Sequence, residues 1–202
     1  MLDLLQVVDS SFPSGSYAHS LGLEGLYALG DVELGAHVRF VLANALGRVE
    51  LPVVRLAHAG EDMRRLDGLM DLLLPVKELR EASRSIGRSV RRALAAIDGG
   101  DIAAEHHAVV YGAMLRRYDI ELRLGLEAYA FSAVRQQLSA AQRLGKIGQT
   151  AVQTLLHDSK SSVEAAVSSS MQMPEDELGG FAPVGDLAGM AHAHQAARMF
   201  VS

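Results

Sequence analysis

Apolar residues recur along most of this chain at intervals of three and four, the spacing that lines one face of an α-helix. The clearest case is residues 75–97, where Leu79, Ile86, Val90, Leu94 and Ile97 form one stripe. Pro75 falls in its expected first turn, where a missing N–H costs little. Gly99 and Gly100 end it, and Asp101 is the expected N-cap of a helix running to about Arg117. Further helices are predicted over 2–8, over 21–29 with Gly30 as the stop, over 32–56 with a kink or restart at Pro52, and over 61–74. Residues 120–141 are apolar nearly all round, the pattern of a helix at the centre of a bundle. After a turn at GKIG, residues 149–170 predict one long helix with Val152, Leu156, Val163 and Val167 inward.

No alternation of the strand type persists anywhere. The expected class is therefore all-α, a single globular helical bundle of about eight to ten helices with a flexible C-terminal tail. Residues 1–171 form the helical domain. Residues 172–202, which begin in a Gly-, Pro- and acid-rich linker, form a partner-binding tail.

Composition narrows the function. Aromatics are 5% of the 202 residues and tryptophan is absent, so the core is aliphatic. The formal charge of −5 argues against nucleic-acid binding, which needs a basic field. There is no cysteine, which excludes disulfides and thiolate chemistry. No apolar run has the length of a membrane-spanning helix. The opening MLDLLQVVDSS lacks a basic flank and a cleavage site, so no signal peptide is read and the expected compartment is the cytoplasm.

Searches for chemistry return little. The only Gly-Lys pair, Gly145-Lys146, lacks the glycine offset and preceding strand of a phosphate loop. Among the eight histidines none lies three or four residues from another, and no Glu-x-x-His occurs, so no metal site is expected. Lys77, Arg80, Arg84, Arg88 and Arg91 make a basic stripe opposite the apolar one, readable as a solvated face or as a dock for an acidic protein.

The unusual stretch is SSFPSGSYAHSLGLE, residues 10–24. Pro13 suits the second position of a turn closed by Gly15, and Ser20 is a good N-cap for the helix expected from Leu21. Phe12 and Tyr17 add apolar area beside polar handles, a combination common in interfaces. No G-x-S-x-G or preceding strand makes a nucleophile elbow. A recognition loop, a structural connector, and a hydrolase site built on Ser16 or Ser20 with His19 all stay open at this point.

Phe12, Pro13, Gly15, Tyr17, His19, Ser20, Gly22, Leu23 and Glu24 together resemble the N-terminal signature of the urease accessory protein UreF family. KELREASRSIGR from Lys77, the run from His106 to Thr150, and the ending from Glu177 are similar to further segments of that family, in the same order. The resemblance implies an all-α protein that is not an enzyme, with no catalytic residues, no metal site and no stably bound cofactor. It implies a homodimer that binds UreD (also called UreH) and through it helps recruit the GTPase UreG to the apo-urease subunits. It further implies that nickel passes through that assembled complex as cargo. Carried over residue by residue, the partner surface comprises Phe12, Pro13, Tyr17, His19 and Glu24 from the loop, and Phe181, Arg198 and Phe200 from the tail. Arg84, Arg88, Gln149 and Thr150 are added as further interface positions.

Overall fold

A computed structural model describes residues 1–180 and Phe200. Among these, all regular structure is helical: ten α-helices, a nine-residue π segment and two single 3-10 turns. The helical class is as expected. The helices are α1 (Leu2–Val8), α2 (Leu23–Leu29), α3 (Leu34–Val41), α4 (Leu51–Ala59), α5 (Met63–Leu73), α6 (Lys77–Asp98), α7 (His107–Arg117), α8 (Leu122–Arg143), α9 (Gln149–Asp158) and α10 (Lys160–Gln172).

The helix without a solvent face is α7: every residue from Ala108 to Leu115 is buried. It crosses α4 closely enough that a Cβ on Gly112 would lie 2.4 Å from the Val54 carbonyl oxygen and 2.7 Å from Ala57 Cβ. The expectation for 120–141 is met in part. The resulting α8 packs against α1, α2, α3, α4, α9 and α10, but it leaves Phe131 exposed.

The segment predicted over 32–56 stays helical through Pro52, which occupies the first turn of α4. A wider π segment, Leu42–Glu50, immediately precedes it. Proline has no N–H for the carbonyl four residues back, that of Arg48. That carbonyl accepts from Gly179 N–H at 3.0 Å instead. Arg48 Nε returns a bond to the Gly179 carbonyl at 2.9 Å, so the loop after α10 is seated on the proline gap.

Three boundaries differ from expectation. Pro75 lies outside α6, because the intervening Val76 is extended and turns its side chain into the core. Asp101 does not cap α7. Residues 101–105 are irregular, with a tight turn closed by the Ala104 N–H on the Ile102 carbonyl at 2.8 Å; Ile102 and Ala104 are buried, and α7 starts only at His107. The cap comes from α5: Asp67 accepts from the backbone N–H groups of Glu105 (2.9 Å) and His106 (3.0 Å). Finally, the predicted helix over 149–170 breaks at the buried Ser159, whose hydroxyl donates back to the Leu156 carbonyl at 2.8 Å. The four inward residues, Val152, Leu156, Val163 and Val167, are buried as predicted.

Gly112→Ala is expected to destabilise the protein by about 2 kcal/mol, since the added methyl must separate α4 and α7. Gly68→Ala is the control: it is an exposed α5 position with open space around it, where alanine should add about 0.5–1 kcal/mol. Urea denaturation of both variants checks the pair. A neutral Gly112→Ala would mean that the crossing is loose.

Candidate interaction site

The N-terminal loop is laid along α8. Gln136 Nε2 donates to the carbonyls of Ser16 (2.9 Å) and His19 (3.3 Å). Arg135 donates to the Val8 carbonyl at 2.7 Å, and Arg143 to the Tyr17 carbonyl at 2.5 Å. Gln136 and Arg143 are seven residues apart, two turns along one face. This pair of long polar side chains on a largely apolar helix was the sequence signal available for the site, and sequence reasoning missed it.

Arg143 does more than hold a carbonyl. Its guanidinium lies 3.7 Å from the centre of the Tyr17 ring and 4.2 Å from that of Phe200, a cation between two aromatic faces. Phe200 is 4% exposed and its N–H donates to Glu24 Oε2 at 3.2 Å. It packs in a small satellite core with Leu23, Leu34, Ala140 and Ala141. Tyr17 is 71% exposed, so the clamp presents one ring outward and buries the other. Thus Tyr17, Glu24 and Phe200, separated by up to 183 positions in the chain, meet at the end of one helix.

The other expected positions are distributed differently. Phe12 is 9% exposed and belongs to the main core, with Pro13 exposed beside it. His19 is buried, and burial lowers its pKa. Gln149 and Thr150 are exposed in the first turn of α9. Phe181 and Arg198 lie outside the described residues. Gly15 and Gly22 have φ of 73° and 87°, the left-handed region open to glycine, as their backbone role required. The second helix starts at Leu23, two residues later than expected, because Leu21 and Gly22 both turn left-handed. Ser20 Oγ still accepts from the Glu24 N–H at 3.4 Å.

The arginines of the basic stripe on α6 are engaged within the chain, while Lys77 is exposed. Arg84 grips Asp71 through two contacts (2.6 and 2.8 Å) and reaches His106 at 3.3 Å. Arg80 donates to the Leu74 carbonyl, Arg88 pairs with Glu105 at 3.5 Å, and Arg91 with Asp101 at 3.9 Å. These arginines tie α6 to α5 and to the 101–105 segment. Burial of Asp71 raises its pKa, but the hydrogen bond from His106 and the Arg84 charge outweigh this and hold it below the usual carboxylate value.

The family follows from comparison. A sequence model of the family described as UreF matches residues 31–160. This chain belongs to the UreF family. A urease accessory protein UreF of Arthrobacter sp. (strain FB24) is 30% identical over 217 aligned residues, covering 100% of this chain and 96% of the relative. One from Cereibacter sphaeroides (strain ATCC 17025 / ATH 2.4.3) is 32% identical, covering 99% of this chain and 97% of its own. One from Marinomonas sp. (strain MWYL1) is 27% identical, covering 100% and 94%. The matched segment 31–160 holds most of the helical body, including Arg143. The loop and Phe200 lie outside it, within the full-length alignments.

Two outcomes are expected for this UreF-family chain. Arg143→Ala should leave helical content intact but raise hydrogen exchange across residues 16–24 and lower stability by about 1–2 kcal/mol; unchanged exchange there would remove the clamp. The second concerns pH. Burial depresses the pKa of His19, His37, His106 and His107 below 6.5, His107 to about 4. The unfolded chain therefore takes up protons first, and stability falls as pH drops below 6.5. Glu50, whose pKa burial raises, opposes this in part. Urea midpoints should be lower at about pH 5.5 than at about pH 7.5. An equal or higher midpoint at the acidic pH contradicts the assignment.

Proposed function

We propose that this chain is a urease-activation chaperone whose loop-and-tail surface binds UreD (UreH). Through that contact it helps bring the GTPase UreG to apo-urease, where nickel is inserted as cargo. It acts as a homodimer in the cytoplasm and is not itself an enzyme. The observation carrying this reading is the Arg143 clamp, which gathers Tyr17, Glu24 and Phe200 at one surface with the Tyr17 ring outward. An exposed tyrosine braced by an arginine is the kind of rigid aromatic anchor that dominates interface energetics. The family membership and the relatives' shared description as urease accessory proteins support the same reading.

The rival readings lose support. The Ser14 and Ser16 hydroxyls bond to each other at 3.0 Å, and the arginines that would dock an acidic adaptor partner are paired internally. Pull-down with UreD and UreG homologues tests the proposal. Tyr17→Ala should weaken UreD capture by about tenfold with helical content kept. Arg88→Ala, whose side chain is engaged with Glu105, should leave capture unchanged. Full UreD capture by Tyr17→Ala would take the loop out of the interface, and normal urease activation in a deletion strain would refute the chaperone reading.

A further inference from the structure

A cavity of about 970 Å3 opens between the N-terminal loop, α2, α3, the π segment, α6 and α8. That is the size of a small-molecule site. Most of its wall is apolar, including Leu46, Val49, Ile86 and Val90, but one region is not. There Glu50, His107 and Tyr129 form a hydrogen-bonded chain: Tyr129 Oη lies 2.5 Å from Glu50 Oε2 and 3.1 Å from His107 Nδ1. The three rings of His107, Tyr111 and Tyr129 pack together, with centres 4.9 Å apart for His107–Tyr129 and for Tyr111–Tyr129. Tyr111 spends its hydroxyl on the Gly125 carbonyl.

Counting protons decides what this cluster lacks. With Glu50 ionised, Tyr129 gives its one hydroxyl proton to the carboxylate, the nearer and stronger acceptor; burial raises the Glu50 pKa, so the ionised form needs a positive charge beside it. His107 Nδ1 must then carry a hydrogen and donate to the Tyr129 oxygen, which leaves a lone pair on Nε2. Glu50 Oε1 and His107 Nε2 have no hydrogen-bond partner among the described residues. Both are acceptors, and no donor is left over. Burial keeps His107 neutral, with a pKa of about 4, so it supplies no positive charge to Glu50.

The charged groups elsewhere on the wall do not supply one either. Arg135 is bonded to the Val8 carbonyl and Arg143 is held between Tyr17 and Phe200. Asp9, Asp31 and Glu33 add negative charge to the lining. A carboxylate in apolar surroundings is costly unless it is paired. Glu50 is also the last residue of the π segment, a departure from regular helix often found at functional positions.

We propose that this cavity binds a small organic cation, an ammonium on an apolar stem, with the charge at Glu50 and His107 and the stem against the aliphatic wall. A single basic side chain from a partner protein would fill only a small part of the space, so a free molecule is the occupant. The loop and Arg143 contribute to the outer wall of the cavity, while its polar end at Glu50, His107 and Tyr129 contains none of the residues assigned to the partner surface.

The test is calorimetric titration of the full chain with n-hexylamine, hexan-1-ol and hexanoate at neutral pH. The amine should bind about tenfold more tightly than the alcohol, and hexanoate should not bind. Glu50→Gln, checked for folding by circular dichroism, should lose that preference. The ligand series on the parent chain decides the matter if the variant does not fold. Equal affinity for amine and alcohol, absence of amine binding, or an undiminished preference in folded Glu50→Gln would each overturn the proposal.

Discussion

The close crossing of α7 over α4 at Gly112 is the constraint on which the rest of this fold depends. A helix buried from Ala108 to Leu115 needs neighbours on every side, and the absence of a Cβ at Gly112 lets α4 supply one at backbone distance. The other faces of α7 are closed by α6 and α5, and Gly125 at the start of α8 abuts Leu115 closely enough that a Cβ there would clash. The hydrophobic effect supplies the driving force for this arrangement, but it has no direction. The direction comes from polar pins.

Those pins sit where α5, α6 and α7 converge. Asp67 caps the start of α7, and Asp71 accepts from both Arg84 and His106. His106 is fully buried, with Ser83 on its other ring nitrogen at 3.0 Å. An imidazole in such a place needs partners on both nitrogens, because an unsatisfied buried polar atom costs more than a made bond returns. The network therefore sets the register of three helices that aliphatic packing alone would let slide. It also gives the arginines of α6 a structural task, because their guanidinium groups bridge that helix to its neighbours.

The proposed partner surface is built on α8. α8 serves as a rail: Arg135, Gln136 and Arg143 accommodate a loop too polar to fold on its own by bonding its carbonyls. Arg143 then joins that loop to Phe200 through ring faces. The energy of such a clamp is modest, but it restrains Tyr17, and under the proposed function a restrained ring has less freedom to lose on binding. The cavity beneath the loop shares walls with this rail, while its polar end lies deeper, among the π segment, α7 and α8.

Periodicity alone was enough to determine the helical class, the inward faces of α6, α9 and α10, and the turn at residues 144–148, because each depends on residues a few positions apart. Gly15 and Gly22 were legible as backbone residues for the same reason. Tertiary structure alone decided the rest. The irregular 101–105 segment and the break at Ser159 each follow from a burial or hydrogen bond that local propensity does not see, whereas the helix start at Pro52 was legible from the proline itself. Phe12 reads like an interface aromatic in its loop and is a core residue in the fold. The clamp joins positions from opposite ends of the sequence and the Glu50–Tyr129–His107 chain spans 79 positions, and no spacing rule reaches across such distances. Local patterning specified what the helices are, and long-range packing specified which of their side chains are left to act.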